Sequence, residues 1–189
     1  MSYTKALDRV LGPLGFVRDK KDWVRIRGDI WDCVNLQKSW IDGAVTVSLY
    51  GKDLETDRVL RSIECGVVLG VIPVAERIGI LIDGYDRWWK NDPNGPLELS
   101  EAVREHAIPW FDRIQTLEDQ ASIWYSRTAT GRPWGRQHLG ELAITLFRLG
   151  AIDEALSFFD APVPKTANPH TVATGRCVQR WLEGHKRSV

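Results

Sequence analysis

The sequence has little of what usually signals chemistry or cellular address. Its 189 residues include three cysteines, four histidines and one methionine. Cys33, Cys65 and Cys177 are odd in number and far apart. That pattern fits buried structural thiols and excludes a disulfide framework or a spaced zinc motif. His106, His138, His170 and His185 are scattered, so no local spacing makes a metal site, and neither a metal nor a cofactor is expected. There is no Gly-rich dinucleotide loop, no phosphate-cradling Gly-Lys-Ser/Thr, no paired-His helix and no nucleophile elbow. No apolar run approaches the roughly 20 residues of a membrane span. Met1 to Asp8 lacks a basic region followed by an apolar stretch, so the expectation is a soluble, cytoplasmic protein with no membrane partner. Twenty-five basic residues balance twenty-five acidic ones. This removes the long-range field that recruits nucleic acid, which is not an expected partner. A local cluster of Arg127, Arg132 and Arg136 around Trp134 is the one basic and aromatic segment; it can hold an anion or single-stranded nucleic acid, but with neutral overall charge it reads rather as a loop pinned by a buried Trp.

What is present is a globular composition, 43% hydrophobic and 26% charged, with nine Trp. Leu7, Val10, Leu11 and Leu14 recur at helical spacing after Ser2 and Thr4, either of which can cap, and Gly12-Pro13 stops the helix. From Phe16 onward the period is two. Trp23 to Arg27, Ile30 to Trp40 and Ala44 to Tyr50 are predicted strands, with Gly28-Asp29 and Asp42-Gly43 as turns. A two-residue Gly28-Asp29 turn places Arg25 opposite Asp32 on the apolar face, and a longer turn reverses the parity; the sequence leaves this register open. Arg58 to Ile63 is predicted helical, and Gly66 to Ile72 and Ile78 to Ile82 as strands or buried extended segments. Asn91 to Pro96 is a loop, rich in Pro and Gly.

The second half is helical. Leu99, Val103, Ala107, Trp110 and Ile114 keep a helical stripe that Pro109 must kink or restart. Thr116 and Asp119 form a capping box. Leu139 to Leu146 and Ile152 to Phe159 make a helical hairpin, and Asn168-Pro169 opens a last helix that Gly184 should end. The fold class is therefore α+β: an N-terminal helix and mainly antiparallel sheet packed against helices, then a helical half. The expected organisation is an α+β domain over 1–118 and a helical extension over 119–189 packed on it.

A two-residue Asp42-Gly43 turn pairs Ser39 with Thr46, Gln37 with Ser48 and Asn35 with Tyr50. One sheet face then carries Val34, Leu36, Lys38 and Trp40 against Val45, Val47 and Leu49. The other presents a row of donors and acceptors, Asn35, Gln37, Ser39, Thr46, Ser48 and Tyr50, continued by Trp31 and Cys33. Such a row can hold a peptide or a small polar ligand by directional hydrogen bonds beside an aromatic wall, or it is simply a solvated or half-covered sheet face. Trp88 and Trp89, with Arg77 nearby, are candidate anchors for a partner, since Trp and Arg are enriched at interface hot spots. Two adjacent Trp cannot share one helix stripe, so one is expected to be buried and the other partly exposed. The carboxylate pairs Asp29/Asp32, Asp83/Asp86 and Asp153/Glu154 sit where turns and helix starts need them.

Leu11-Gly12-Pro13-Leu14-Gly15-Phe16, Trp23 and Val34-Asn35-Leu36-Gln37-Lys38-Ser39 resemble the bacterial family called domain of unknown function 4304. The Val45 to Leu49 strand, Arg77-Ile78-Gly79, Trp88 and Ile108 to Phe111 continue the likeness, over roughly residues 5 to 118. The resemblance implies an α+β fold of unassigned chemistry and carries no catalytic residue onto this chain. By analogy such small bacterial domains have toxin-neutralising and other interaction roles. The Leu139 to Phe159 hairpin, with Leu149-Gly150 and Glu154-Ala155-Leu156, resembles a tetratricopeptide unit, but one unit does not make a solenoid. The function expected from these readings is a non-enzymatic binding protein, neutralising or regulatory, whose partner is a protein or a small polar ligand. The alternative is a small-molecule enzyme with Gln37, Tyr50, Arg77 and a nearby Asp in a pocket between the sheet and the helical half.

Overall fold

The computed structural model describes residues 1–64, 73–90, 92–128, 139–163, 165 and 168–186. Helix α1, Tyr3–Leu11, starts where Ser2 Oγ accepts from the Lys5 N–H, and it gives way to a 3-10 turn at Gly12–Leu14. Strands β1 (Val17–Asp19), β2 (Asp22–Arg27), β3 (Ile30–Lys38), β4 (Val45–Asp53) and β5 (Val74–Arg77) form an antiparallel sheet in chain order. This is the α+β architecture expected from the two periodicities. Helix α2, Leu54–Ser62, follows β4 directly, because the Asp53 carboxylate accepts from the Thr56 N–H and caps it. Helix α3 is Ile78–Asp83 and α4 is Gly95–Ala102. A π turn at Val103–Ala107 leads without a break into α5, Ile108–Asp112, and this wider turn falls just before Pro109, which lacks the N–H that a regular helix would use there. Beyond it lie α6 (Leu117–Thr128), α7 (Leu139–Arg148), α8 (Ile152–Ser157) and α9 (Pro169–Lys186).

The chain divides into two compact units, Met1–Gly51 with Pro73–Gln115, and Lys52–Ile72 with Thr116–Val189. In the first, α1 packs on α4 and on the π turn. Trp23, only 1% exposed, donates its indole N–H to Asp8 of α1 at 2.9 Å. Leu7, Leu11, Val34, Val47, Leu49, Leu99, Phe111 and Ile114 fill this core. Gly51 has to be small here, because a Cβ would stand 2.1 Å from Ile114 Cδ1. In the second unit α7 packs against α2, α6, α8 and α9. Arg148 of α7 bonds the cap of α2 through Asp53 and, at 2.8 Å, Thr56 Oγ1. Tyr125 donates to Glu154, and burial together with that carboxylate raises its phenol well above the ordinary range.

The register that the sequence leaves open is the tight one: Arg27 faces Ile30 across Gly28-Asp29, and Arg25 faces Asp32. Asp32 is fully buried, and its Oδ2 accepts from Arg25 Nε (3.0 Å), Arg25 Nη2 (2.8 Å) and Arg27 Nε (2.8 Å). The Arg25 guanidinium lies 4.4 Å from the centre of the Phe16 ring, and Arg27 donates to the Phe111 carbonyl at 3.0 Å. The charges therefore fasten β2 and β3 to α5. Asp29 and Asp32 were expected together as turn carboxylates; only Asp29 lies at the turn, while Asp32 is the acceptor for two arginines.

Three further expectations are corrected. Ile78 to Ile82 is helical, not extended, because Gly84 takes φ +76° and its N–H closes the helix on Ile80. Helix α9 passes Gly184 to Lys186, held by the His185 ring against the Trp181 carbonyl at 2.8 Å and by Lys186 with Asp153 at 2.5 Å. The β3–β4 connection is not a two-residue turn, since Ser39 N–H donates to Ala44 O at 2.7 Å and leaves Trp40 to Gly43 as the loop. The capping box of Thr116 and Asp119 forms with reciprocal bonds of 3.1 and 3.2 Å, and Asn168 caps α9 through the His170 N–H. Gly66 to Ile72 and the Arg132 to Arg136 cluster lie outside the described residues, as does the Arg127 side chain.

Candidate functional site

The row of polar residues is sorted by depth. Thr46 (0% exposed), Ser48 (4%) and Asn35 (8%) are buried, while Trp31, Gln37, Ser39 and Tyr50 are half-buried. Asn35 is spent within the sheet, its amide donating to Asp22 on β2. Gln37 Nε2 donates to Ser48 Oγ at 3.2 Å. Cys33, 4% exposed, has its thiol pushed up to about 12, first by burial and then by the charge of Asp22. It is a structural thiol, as is buried Cys177; Cys65 lies outside the described residues.

Strand β5, which the sequence reading did not identify, joins the two groups of candidate residues. Ser48 pairs with Arg77 and Tyr50 with Ala75. Past β5 the chain returns to the same edge of β4, where Val45 and Trp89 exchange backbone hydrogen bonds of 2.8 Å each way. Trp89 is 4% exposed and Trp88 38%, the division expected of adjacent tryptophans. The Arg77 guanidinium lies 5.7 Å from the Trp88 ring centre, with Asp86 3.9 Å from its Nε. Asp86 also accepts from the Trp88 indole N–H at 3.1 Å. Gln37, Ser48, Arg77 and Trp88 thus form one continuous strip from β3 to the β4 edge.

A second feature went unrecognised in the sequence. The loop after β3 holds Trp40 93% exposed and Ile41 78% exposed. Local bonds fix it in that shape. Ser39 Oγ accepts from the N–H groups of Ile41 (3.2 Å) and Asp42 (3.4 Å), and Asp42 Oδ1 accepts from Ala44 N–H (3.1 Å). The Ser39 and Ala44 bonds lower the Asp42 carboxyl below its ordinary value. Gly43 supplies the φ of +73° that closes the loop. Beside it runs a groove of about 700 Å3, walled by Ser2, Tyr3 and Thr4 at the start of α1, by Lys21, and by Leu36 to Lys38, Gly43 and Val45. The sequence signal for this feature was Ser39-Trp40-Ile41-Asp42-Gly43 itself, two large apolar residues inside a turn motif. Strand alternation assigned Trp40 to the apolar face instead.

The chain matches the family described as Domain of unknown function (DUF4304) over residues 7–113, and it belongs to that family. No curated protein and no solved structure matches it. The matched stretch contains the whole polar strip and the Trp40 loop.

Proposed function

We propose that this DUF4304 protein is a non-enzymatic binding protein that docks a protein partner on the Trp40–Ile41 loop and the adjoining groove. The observation that carries the reading is a pair of large apolar side chains held almost fully in solvent by a loop whose own hydrogen bonds fix its shape. An apolar tip that is ordered before contact loses little conformational freedom on binding, and Trp is the residue most enriched at the centres of interfaces. Trp88 is the lesser anchor in this scheme, being more covered and holding its indole N–H on Asp86. Covering a partner's surface is how a neutralising or regulatory protein acts, and no catalytic step is required of it.

The test compares tagged wild type with a Trp40→Ala, Ile41→Ala variant as baits in lysate of the source organism. Bound proteins are identified by mass spectrometry and then titrated as purified components. Both side chains stand outside the core, so the variant keeps its melting temperature. The expected result is one partner bound by wild type and weakened about thirtyfold or more by the variant, the effect of losing a hot spot worth about 2 kcal/mol. Equal capture by both baits contradicts the reading. Binding of the loop to lipid vesicles in place of any protein also contradicts it.

A further inference from the structure

We propose that Thr46, Ser48 and Arg77 form a binding site for a carboxylate group. The inference rests on different residues from the Trp40 loop and does not depend on that reading. Two buried polar atoms on this strip have no hydrogen-bond partner, Thr46 Oγ1 and Arg77 Nη1. Buried polar atoms are nearly always paired in native proteins, so two on one strip point to an acceptor that belongs there.

Register brings the two together. Arg77 lies across from Ser48, and the Val45–Trp89 bridge sets Trp88 at the level of Thr46 along the same β4 edge. The Arg77 guanidinium lies 5.7 Å from the centre of the Trp88 ring, on the residue that the bridge sets beside Thr46. Ser48 Oγ already accepts from Gln37, which leaves its own O–H to donate. Neither neighbouring carboxylate reaches Arg77 Nη1: Asp86 stands 3.9 Å from Arg77 Nε and accepts from the Trp88 indole, and Glu76 accepts from the backbone N–H of Arg77. The strip therefore offers two hydroxyl donors and a guanidinium whose Nη1 is unpaired. It runs from fully buried Thr46 to Arg77, whose side chain is one-third exposed. Donors without acceptors and a positive charge select a small anion, and the planar guanidinium edge matches a carboxylate. The carboxylate is either a free small acid or a Glu or Asp side chain of a bound protein.

The experiment uses the full chain at pH 7. Its melting temperature and calorimetric titration are measured with sodium acetate against sodium chloride at equal ionic strength, and with the capped peptide acetyl-Gly-Glu-Gly-amide. Wild type is expected to be stabilised by acetate or by the peptide beyond the chloride effect. Arg77→Met and Thr46→Val are each expected to weaken that binding about tenfold or more, and Thr46→Ser, which keeps the hydroxyl, to retain it. A response to acetate supports a free acid as ligand, and a response to the peptide alone supports a protein side chain. A wild-type response no greater than chloride's means that water fills the gap and overturns the proposal. Undiminished binding by Thr46→Val, which is isosteric and keeps the fold, overturns it as well.

Discussion

Replacing Asp32 by Ala removes the acceptor of two arginines from the interior of the first unit. Asp32 Oδ2 takes three N–H groups from Arg25 and Arg27, and the two arginine side chains are only 12% and 25% exposed. Deleting one partner of a buried ion pair usually costs about 3–5 kcal/mol, because the charge left behind stays desolvated and unpaired. Arg27 keeps its bonds to the Phe111 carbonyl and to Asp112, at 3.0 and 3.2 Å, which places the expected loss near about 3 kcal/mol. For a chain of this size that lowers the melting temperature by about 6–12 °C. Asp32→Asn keeps one acceptor oxygen without its charge, and is expected to lose about half as much. Urea denaturation of wild type, Asp32→Ala and Asp32→Asn measures both. An Asp32→Ala protein within 1 kcal/mol of wild type, on the scale that surface substitutions usually show, would refute the claim that this cluster fastens the β2–β3 hairpin to α5.

Other outcomes follow from single sites. Gly79→Ala is expected to destabilise by about 2 kcal/mol or more, because its Cβ would stand 2.2 Å from the Arg87 nitrogen and 2.6 Å from the Tyr85 oxygen, both backbone atoms. Gly84→Ala, strained at φ +76° but in open space, should cost about 1 kcal/mol; equal losses in the two denaturation curves contradict this. The Cys33 thiol should resist iodoacetamide at pH 8 in the folded protein and react on unfolding. Its raised value also means that the stability it contributes is present below the ordinary thiol range, near pH 8.5, and is lost between there and about pH 12; peptide mapping that shows ready labelling of folded Cys33 rules this out. The lowered Asp42 carboxyl stabilises the loop above the ordinary aspartate value, near pH 4, and that support is lost as pH falls through its lower folded value. The Ala44 amide signal followed by NMR should shift with a midpoint below pH 4, and a midpoint at or above 4 contradicts the account.

Much of this fold is legible in the sequence wherever one period dominates. The alternation from Trp23 to Leu49 names strands β2, β3 and β4 to within a few residues, because a period of two is a local signal. The caps at Ser2, Thr116 and Asn168 are legible because each is a local contest for backbone N–H groups. Short apolar runs are another matter. Ile78 to Ile82 suits either a strand or a helix, and the choice rests on the left-handed turn at Gly84 and on the close approach of the Arg87 backbone to Gly79. Strand β5 contains Glu76 and Arg77 and has no alternating pattern; only its pairing with β4 makes it a strand, so its union of Ser48 with Arg77 lay beyond the sequence. Chemistry names the candidate residues in the sequence, and what the sequence does not supply is depth. Thr46 and Ser48 are buried and Trp40 is exposed, whereas alternation alone gave Trp40 the inward face.

The most direct test of the central claim is the affinity of the partner captured by wild type, measured calorimetrically for wild type and for Trp40→Ala. The account predicts about thirtyfold weaker binding by Trp40→Ala with an unchanged melting temperature, as expected for a hot-spot residue that the fold leaves 93% exposed. Equal affinities would show that the Trp40 loop is not where this protein meets its partner.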